Sequence, residues 1–152
     1  MSLTVRPLEE SDIDIIEASE PPGQLFVRTM WDLQQKGVSL LLVAWLDGVP
    51  VGSGQLDRRT DPIELKNLNV VPSVRGRGVG SALIRAAEAL ATPNSILSIG
   101  VGVDNLLARD LYERLGYRST GEHSTTTYEY VDSDGERQTA TETDVRMIKR
   151  LA

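Results

Sequence analysis

The chain has 152 residues, 40% of them hydrophobic and 25% charged, which fits one domain spanning residues 1–152 with an ordinary core. It contains no cysteine and a single histidine, His123, so disulfides, thiolate metal sites and cysteine nucleophiles are excluded, and no metal is expected. The net charge of −6 argues against a nucleic-acid surface and favours cationic or amine substrates by steering.

Thr4–Leu8 predicts a short opening strand, and Ser11 or Asp12 caps a helix running to about Ala18. The N-terminal segment lacks the apolar core of a signal peptide, and the longest apolar run, Leu40–Leu46, is far too short to span a bilayer. A cytoplasmic location without a membrane partner is therefore the expectation. Glu20-Pro21-Pro22-Gly23 breaks the first helix. Leu25–Gln35 reads as a second one, with Leu25, Met30 and Leu33 on roughly one side and Gly37 ending it. Ser39–Leu46 and Val49–Leu56 are apolar runs joined by Asp47-Gly48, a strong hairpin signal. Ile63–Val71 is a further strand.

A glycine-rich turn with two arginines comes next, and a helix begins at once. In that helix Val79, Ala82, Leu83, Ala86, Ala87 and Leu90 recur at helical spacing. Thr92-Pro93-Asn94 stops it before a strand over Ile96–Val103. Asp104 caps the next helix, from about Asn105 to Leu115, with Leu107, Leu111 and Leu115 turned inward and Gly116 as terminator. Tyr117–Leu151 then predicts two long strands around Asp132-Ser133-Asp134-Gly135. The resulting order is a mixed α/β sandwich around one sheet.

The segment Val70–Ala87 carries most of the chemistry. Gly76, Gly78 and Gly80 let the backbone turn tightly and approach a ligand. A turn that leaves a strand and enters a helix directs unpaired N–H groups outward at the positive end of the helix dipole, which cradles phosphate or pyrophosphate. Arg75, Arg77 and Arg85 add positive charge, and no acidic residue lies between Pro72 and Ala87. A P-loop would require Lys-Ser or Lys-Thr after its last glycine, and none is present. A dinucleotide fingerprint starting at Gly76 would require Gly or Ala at position 81, which is Ser81.

The pattern Arg75-x-x-Gly78-x-Gly80 after a strand ending in Val-Pro resembles the acyl-CoA signature of the GNAT superfamily of N-acetyltransferases. The segment Val103–Tyr117 resembles that family's second signature, and the order of elements is similar over nearly the whole chain. The resemblance implies a GNAT-like mixed sheet of about six to seven strands flanked by about four helices. It implies acetyl-CoA as cosubstrate, an amine acceptor that is a small molecule or a peptide, and a homodimer. By the same resemblance Leu68, Asn69 and Val70 lie along the pantetheine arm. Gly76, Arg77, Gly78, Val79, Gly80 and Ser81 supply N–H groups to the pyrophosphate, with Arg75 beside them. Asn105 contacts the cofactor, and Tyr112 protonates the departing thiolate.

The residues support this chemistry on their own terms. Asn105 and Tyr112 are seven positions apart, nearly two helical turns, so they share a face with about 10 Å between them along the axis. Periodicity alone favours Tyr112 as a half-buried core aromatic with its hydroxyl in water and Asn105 as a helix-start residue; the glycine turn and the resemblance reverse that preference. A tyrosine, with an ordinary pKa of about 10, can protonate a thiolate, and a backbone N–H near Val70 can polarise a thioester carbonyl. Glu64 is the candidate base, placed by strand period on one face with Lys66 and Leu68; its alternative role is to solvate a strand end. Gly100, where other branches of the family carry a glutamate, cannot serve as a base, and with Gly102 it permits a bulge or a close approach of ligand.

His123 reads as a surface or satisfied polar residue. Phe26, Trp31, Tyr128 and Tyr130 are candidates for lining an acceptor pocket, or for the core. Residues 122–144 include seven acids against Arg137 alone, a solvated hairpin that can also attract a cationic acceptor. The rival to an enzyme is a non-catalytic acyl-CoA-binding or regulatory module on the same fold, and a nucleotide-phosphate binder is a third reading.

Overall fold

A computed structural model of the chain describes residues 2–91, 93 and 95–152. Its elements are β1 (Leu3–Pro7), a 3-10 turn (Glu10–Asp12) running into α1 (Ile13–Glu17), α2 (Phe26–Gln35), β2 (Ser39–Leu46), β3 (Val49–Asp57) and β4 (Ile63–Val70). A second 3-10 turn (Pro72–Val74) leads to α3 (Val79–Leu90), β5 (Ile96–Gly102), α4 (Leu106–Arg114), β6 (Arg118–Val131) and β7 (Arg137–Arg150). The seven strands form one sheet in the order β1-β2-β3-β4-β5-β7-β6, in which only the β4–β5 pair is parallel.

The apolar run in β2 is explained by burial on both faces. Leu41, Val43 and Trp45 pack under α1 and α2, while Leu42 and Ala44 join the larger core under α3 and α4. Tyr117 closes that larger core: its hydroxyl donates to Glu88 of α3 at 2.7 Å, and Lys149 of β7 binds the same carboxylate at 3.1 Å. At the far end of the β6–β7 hairpin, the turn comes within reach of the α1–α2 connection, where a Cβ at Gly135 would lie 3.9 Å from Pro22.

Three inward positions differ from the predicted ones. Leu25 is 57% exposed in a left-handed conformation just before α2, and Val27 takes the buried place instead. Leu90 ends α3 at the surface. Leu107 is 86% exposed, because α4 is rotated so that Tyr112 is its buried residue, flanked by Ala108, Leu111 and Leu115. The cap of α4 is Asn105 rather than Asp104: its Oδ1 accepts from the Ala108 N–H at 3.1 Å. Of the predicted stop Thr92-Pro93-Asn94, Thr92 and Asn94 lie outside the described residues.

Two irregularities of β4 open the sheet. Its ladder with β5 covers only Ile63–Leu97, Glu64–Ser98 and Leu65–Ile99, after which the strands part. Against β3, Lys66 faces Gln55 and Asn69 faces Ser53, so Asn67 and Leu68 together oppose Gly54 in a bulge. Asn67 sits there with a φ of 54°, and its amide donates to buried Gln55 at 2.8 Å; Gln55 in turn donates to Ser39 at 2.9 Å. A chain of hydrogen bonds running from exposed Asn67 to buried Gln55 and Ser39 thus fixes the bend that carries β4 away from β5.

Candidate active site

The parting of β4 and β5 opens a cleft of about 590 Å³ that passes through the sheet. Leu65, Ile99, Val101 and Tyr112 reach it from the face covered by α3 and α4, since all four belong to that core. Side chains alternate along a strand, so Glu64 and Lys66 of β4 and Asp144 and Arg146 of β7 reach it from the opposite face. The β6–β7 hairpin walls that second side with Glu122, His123, Ser124, Thr126, Tyr128 and Glu142.

The cleft brings together Glu64, Leu68, Asn105 and Tyr112, four residues given catalytic or cofactor roles from the sequence, with Gly100, Gly102, His123 and Tyr128 around them. Tyr112 is 6% exposed, and burial pushes its phenol above the ordinary tyrosine range, so it holds its proton throughout neutral pH. Among the described residues neither the Tyr112 hydroxyl nor the Glu64 carboxylate has a hydrogen-bond or ion-pair partner. Lys66 does not neutralise Glu64; its ammonium is held 2.8 Å from Asp57. Arg59 also binds Asp57 through two guanidinium contacts of 2.9 Å, and these cations hold that buried carboxyl far below the usual carboxylate range.

One expectation about β4 is corrected. Leu68 does not share a face with Glu64, because the bulge at Asn67 breaks the alternation. Leu65 and Leu68 both lie on the core side, each with a Cδ1 3.2 Å from where a Cβ on Gly54 would stand.

Asn69, Val70 and residues 75–81 lie outside the cleft walls and continue from its end. The turn is held by Arg75, whose Nε donates to the Val70 carbonyl at 3.1 Å. Gly78, with φ of 85°, is the N-cap of α3, a conformation that favours glycine. No side chain caps this helix and no acid lies in its first turn, so the N–H groups of Val79, Gly80 and Ser81 face outward. The buried Val79 side chain anchors them, and Gly80 lies against α4, where a Cβ would be 3.5 Å from Leu111. The start of α3 and the helix bearing Tyr112 therefore pack against each other.

Of the aromatic candidates, Tyr128 lines the cleft with Tyr130 beside it, their ring centroids 6.1 Å apart, whereas Phe26 and Trp31 pack on the core beneath α2. His123 is exposed on the cleft wall, its Nδ1 3.1 Å from the Gly121 carbonyl. Asp144, Glu142, Glu122 and Arg146 were not individually legible as site residues. The available signal was the alternation of the hairpin: Ser124, Thr126 and Tyr128 pair across with Asp144, Glu142 and Ala140 on the cleft side, while Thr125–Thr143 and Thr127–Thr141 hydrogen-bond on the other.

Among the described residues no helix is long and apolar enough to cross a membrane, and no group of three or more His, Cys, Asp or Glu side chains could hold a metal ion. Residues 7–117 match the model of the acetyltransferase (GNAT) family. An uncharacterized N-acetyltransferase of Methanocaldococcus jannaschii is 34% identical over 84 residues, 49% of this chain; the chain covers only 37% of that relative's length. Among solved structures, an N-acetyltransferase from Staphylococcus aureus Mu50 superposes with a TM-score of 0.69 at 18% identity, covering 100% of both chains. The PaiA N-acetyltransferase of Thermoplasma acidophilum, solved in complex with coenzyme A, gives 0.67 at 16% identity over 99% of each chain. With the family model spanning most of the chain and the sheet splayed beside an uncapped helix N-terminus, the chain belongs to the GNAT acetyltransferase family.

Proposed function

We propose that the protein is an N-acetyltransferase that moves the acetyl group of acetyl-CoA to a primary amine by direct attack. The observation that carries this reading is the cleft through the sheet, with Tyr112 on one face and free carboxylates on the other. The chain suits the donor. Val79, Gly80 and Ser81 receive the pyrophosphate on their outward N–H groups, with Gly76, Arg77 and Gly78 in the turn below and Arg75 bracing it. Leu68, Asn69 and Val70 have no strand partner on the β5 side and offer backbone groups to the pantetheine arm. Asn105, its Oδ1 used as a cap, keeps its amide N–H groups for the same arm.

Glu64 takes one proton from the substrate ammonium through a water, leaving a neutral amine. The nitrogen lone pair then forms the bond to the thioester carbon, whose oxygen is polarised by a backbone N–H near Val70. As the carbon–sulfur bond breaks, its electron pair stays on sulfur and Tyr112 gives that sulfur its proton. The phenolate recovers a proton from the new amide nitrogen, and Glu64 passes its own to water.

Free-thiol release from acetyl-CoA over an amine panel, with calorimetry of acetyl-CoA, CoA and ATP, tests the reading. The expected result is thiol release with at least one amine and preference for the CoA compounds. Uptake of acetyl-CoA without thiol release would make the chain a binding module, and preference for ATP would make it a nucleotide-phosphate binder.

A further inference from the structure

Four carboxylates face the cleft: Glu64 on β4, Glu122 on β6, and Glu142 and Asp144 on β7. Glu122 lies 4.0 Å from the Arg146 guanidinium, which also donates to Ser98 at 2.8 Å. Glu142 accepts the Tyr128 hydroxyl at 2.8 Å. Asp144, by contrast, has neither a hydrogen bond nor an ion pair among the described residues.

The strand in front of Asp144 carries glycines. Asp144 pairs across the sheet with Gly102, and Gly100 lies two residues back on the same face of β5. A Cβ at Gly100 would stand 3.6 Å from Asp144 Oδ2, and one at Gly102 would stand 3.9 Å from Oδ1. Oδ2 thus borders the backbone of Gly100, where no other side chain comes closer, and Oδ1 borders that of Gly102, beside which the Asn105 side chain stands. A carboxylate that is partly withdrawn from water, with no cation of its own and with room for a small group before it, is complementary to an ammonium. Partial burial raises its affinity for a proton, and the charge of Glu142 on the same strand adds to this. No charged group comes from β5, and β6 contributes Glu122, His123 and Tyr128 to the surrounding wall.

We propose that Asp144 is the anchor for the ammonium group of the acceptor, holding it over Gly100 and Gly102, and so selects amines that arrive as cations. The proposal rests on the acetyltransferase reading and deepens it: Asp144 binds the alkylammonium, Glu64 takes its proton, and no covalent bond changes in the anchoring step.

Steady-state kinetics of Asp144→Asn against the wild type test it, using the best alkylamine of the panel together with benzylamine, a cation at neutral pH, and aniline, which is neutral. Loss of a charged hydrogen bond predicts a rise of about 10–100-fold in KM for the alkylamines. Turnover should change less than about threefold, since the anchor acts in binding. KM for acetyl-CoA and for aniline should not move, and Asp144→Glu should restore much of the alkylamine affinity. In the wild type, KM for alkylamines should rise as pH falls through the elevated carboxyl range of Asp144, and Asp144→Asn should lack that rise. Unchanged alkylamine KM, an equal rise for aniline, or loss of turnover alone would overturn the proposal. If the wild type acetylates no amine, the acetyltransferase reading falls separately, and carboxyl NMR decides the anchor. Benzylamine must then lower the titration of Asp144, and failure to do so overturns it.

Discussion

The turn entering α3 lies beyond the end of the cleft and the β6–β7 hairpin walls it, and the two are built differently. The turn is a backbone device: consecutive N–H groups, a positive-φ glycine at residue 78 and a buried Val79 follow within a few residues. The hairpin works through side chains that meet only because of register, as when Thr126 is set against Glu142 and Ser124 against Asp144. A backbone device leaves a spacing in the sequence that can be recognised, whereas a cross-strand device leaves only a composition. Under the proposed function, the turn receives the CoA donor and the hairpin the acceptor.

The largest expected effect tests the point where the two sides meet. Tyr112→Phe should lower turnover by roughly 10²–10⁴-fold with acetyl-CoA affinity nearly unchanged by calorimetry. Equal turnover by that variant would remove Tyr112 from the mechanism. Next, Glu64→Gln should lower turnover by about 10²-fold with acceptor KM little altered, the opposite of what Asp144→Asn should do. A shift in KM alone would make Glu64 a binding group.

A smaller effect isolates the donor side. Gly78→Ala forces a side chain into a φ of 85° and should raise KM for acetyl-CoA by about tenfold, or about 1.4 kcal/mol, while acceptor KM stays constant. Similar losses for donor and acceptor would break the division between turn and hairpin. The smallest effect lies in the scaffold. Asp57→Asn should cost about 1 kcal/mol of stability at neutral pH, since Arg59 and Lys66 are partly exposed and solvent screens them. The native carboxyl is held low, so its contribution is complete above the unfolded value of about 3.9 and fades as pH falls toward the folded one. Urea unfolding of both proteins should therefore converge on acidification, and a gap that stays constant with pH would contradict the assignment.

Much of the architecture was legible because its signals are local. Asp47-Gly48 marks the β2–β3 hairpin, and the helical spacing from Val79 gives α3 its observed limits. Leu107 turns outward against expectation because spacing specifies a periodic face but not the angle at which a nine-residue helix docks. Tyr112 shows both outcomes at once: it is a core aromatic by burial and a cleft residue by position. Glu64 lines the cleft, yet its relation to Leu68 is reversed by a single bulge at Asn67.

The sequence by itself determined the order of elements, the glycine turn before α3 and the spacing of Asn105 from Tyr112, because each depends on neighbours within about two helical turns. Only the tertiary structure decided that β4 leaves β5 after Leu65, and that Asp144 stands over Gly100 and Gly102. Those facts depend on strand register and on a Gln55–Asn67 hydrogen bond between residues twelve apart in sequence. Register is a property of two strands together, and neither strand states it alone.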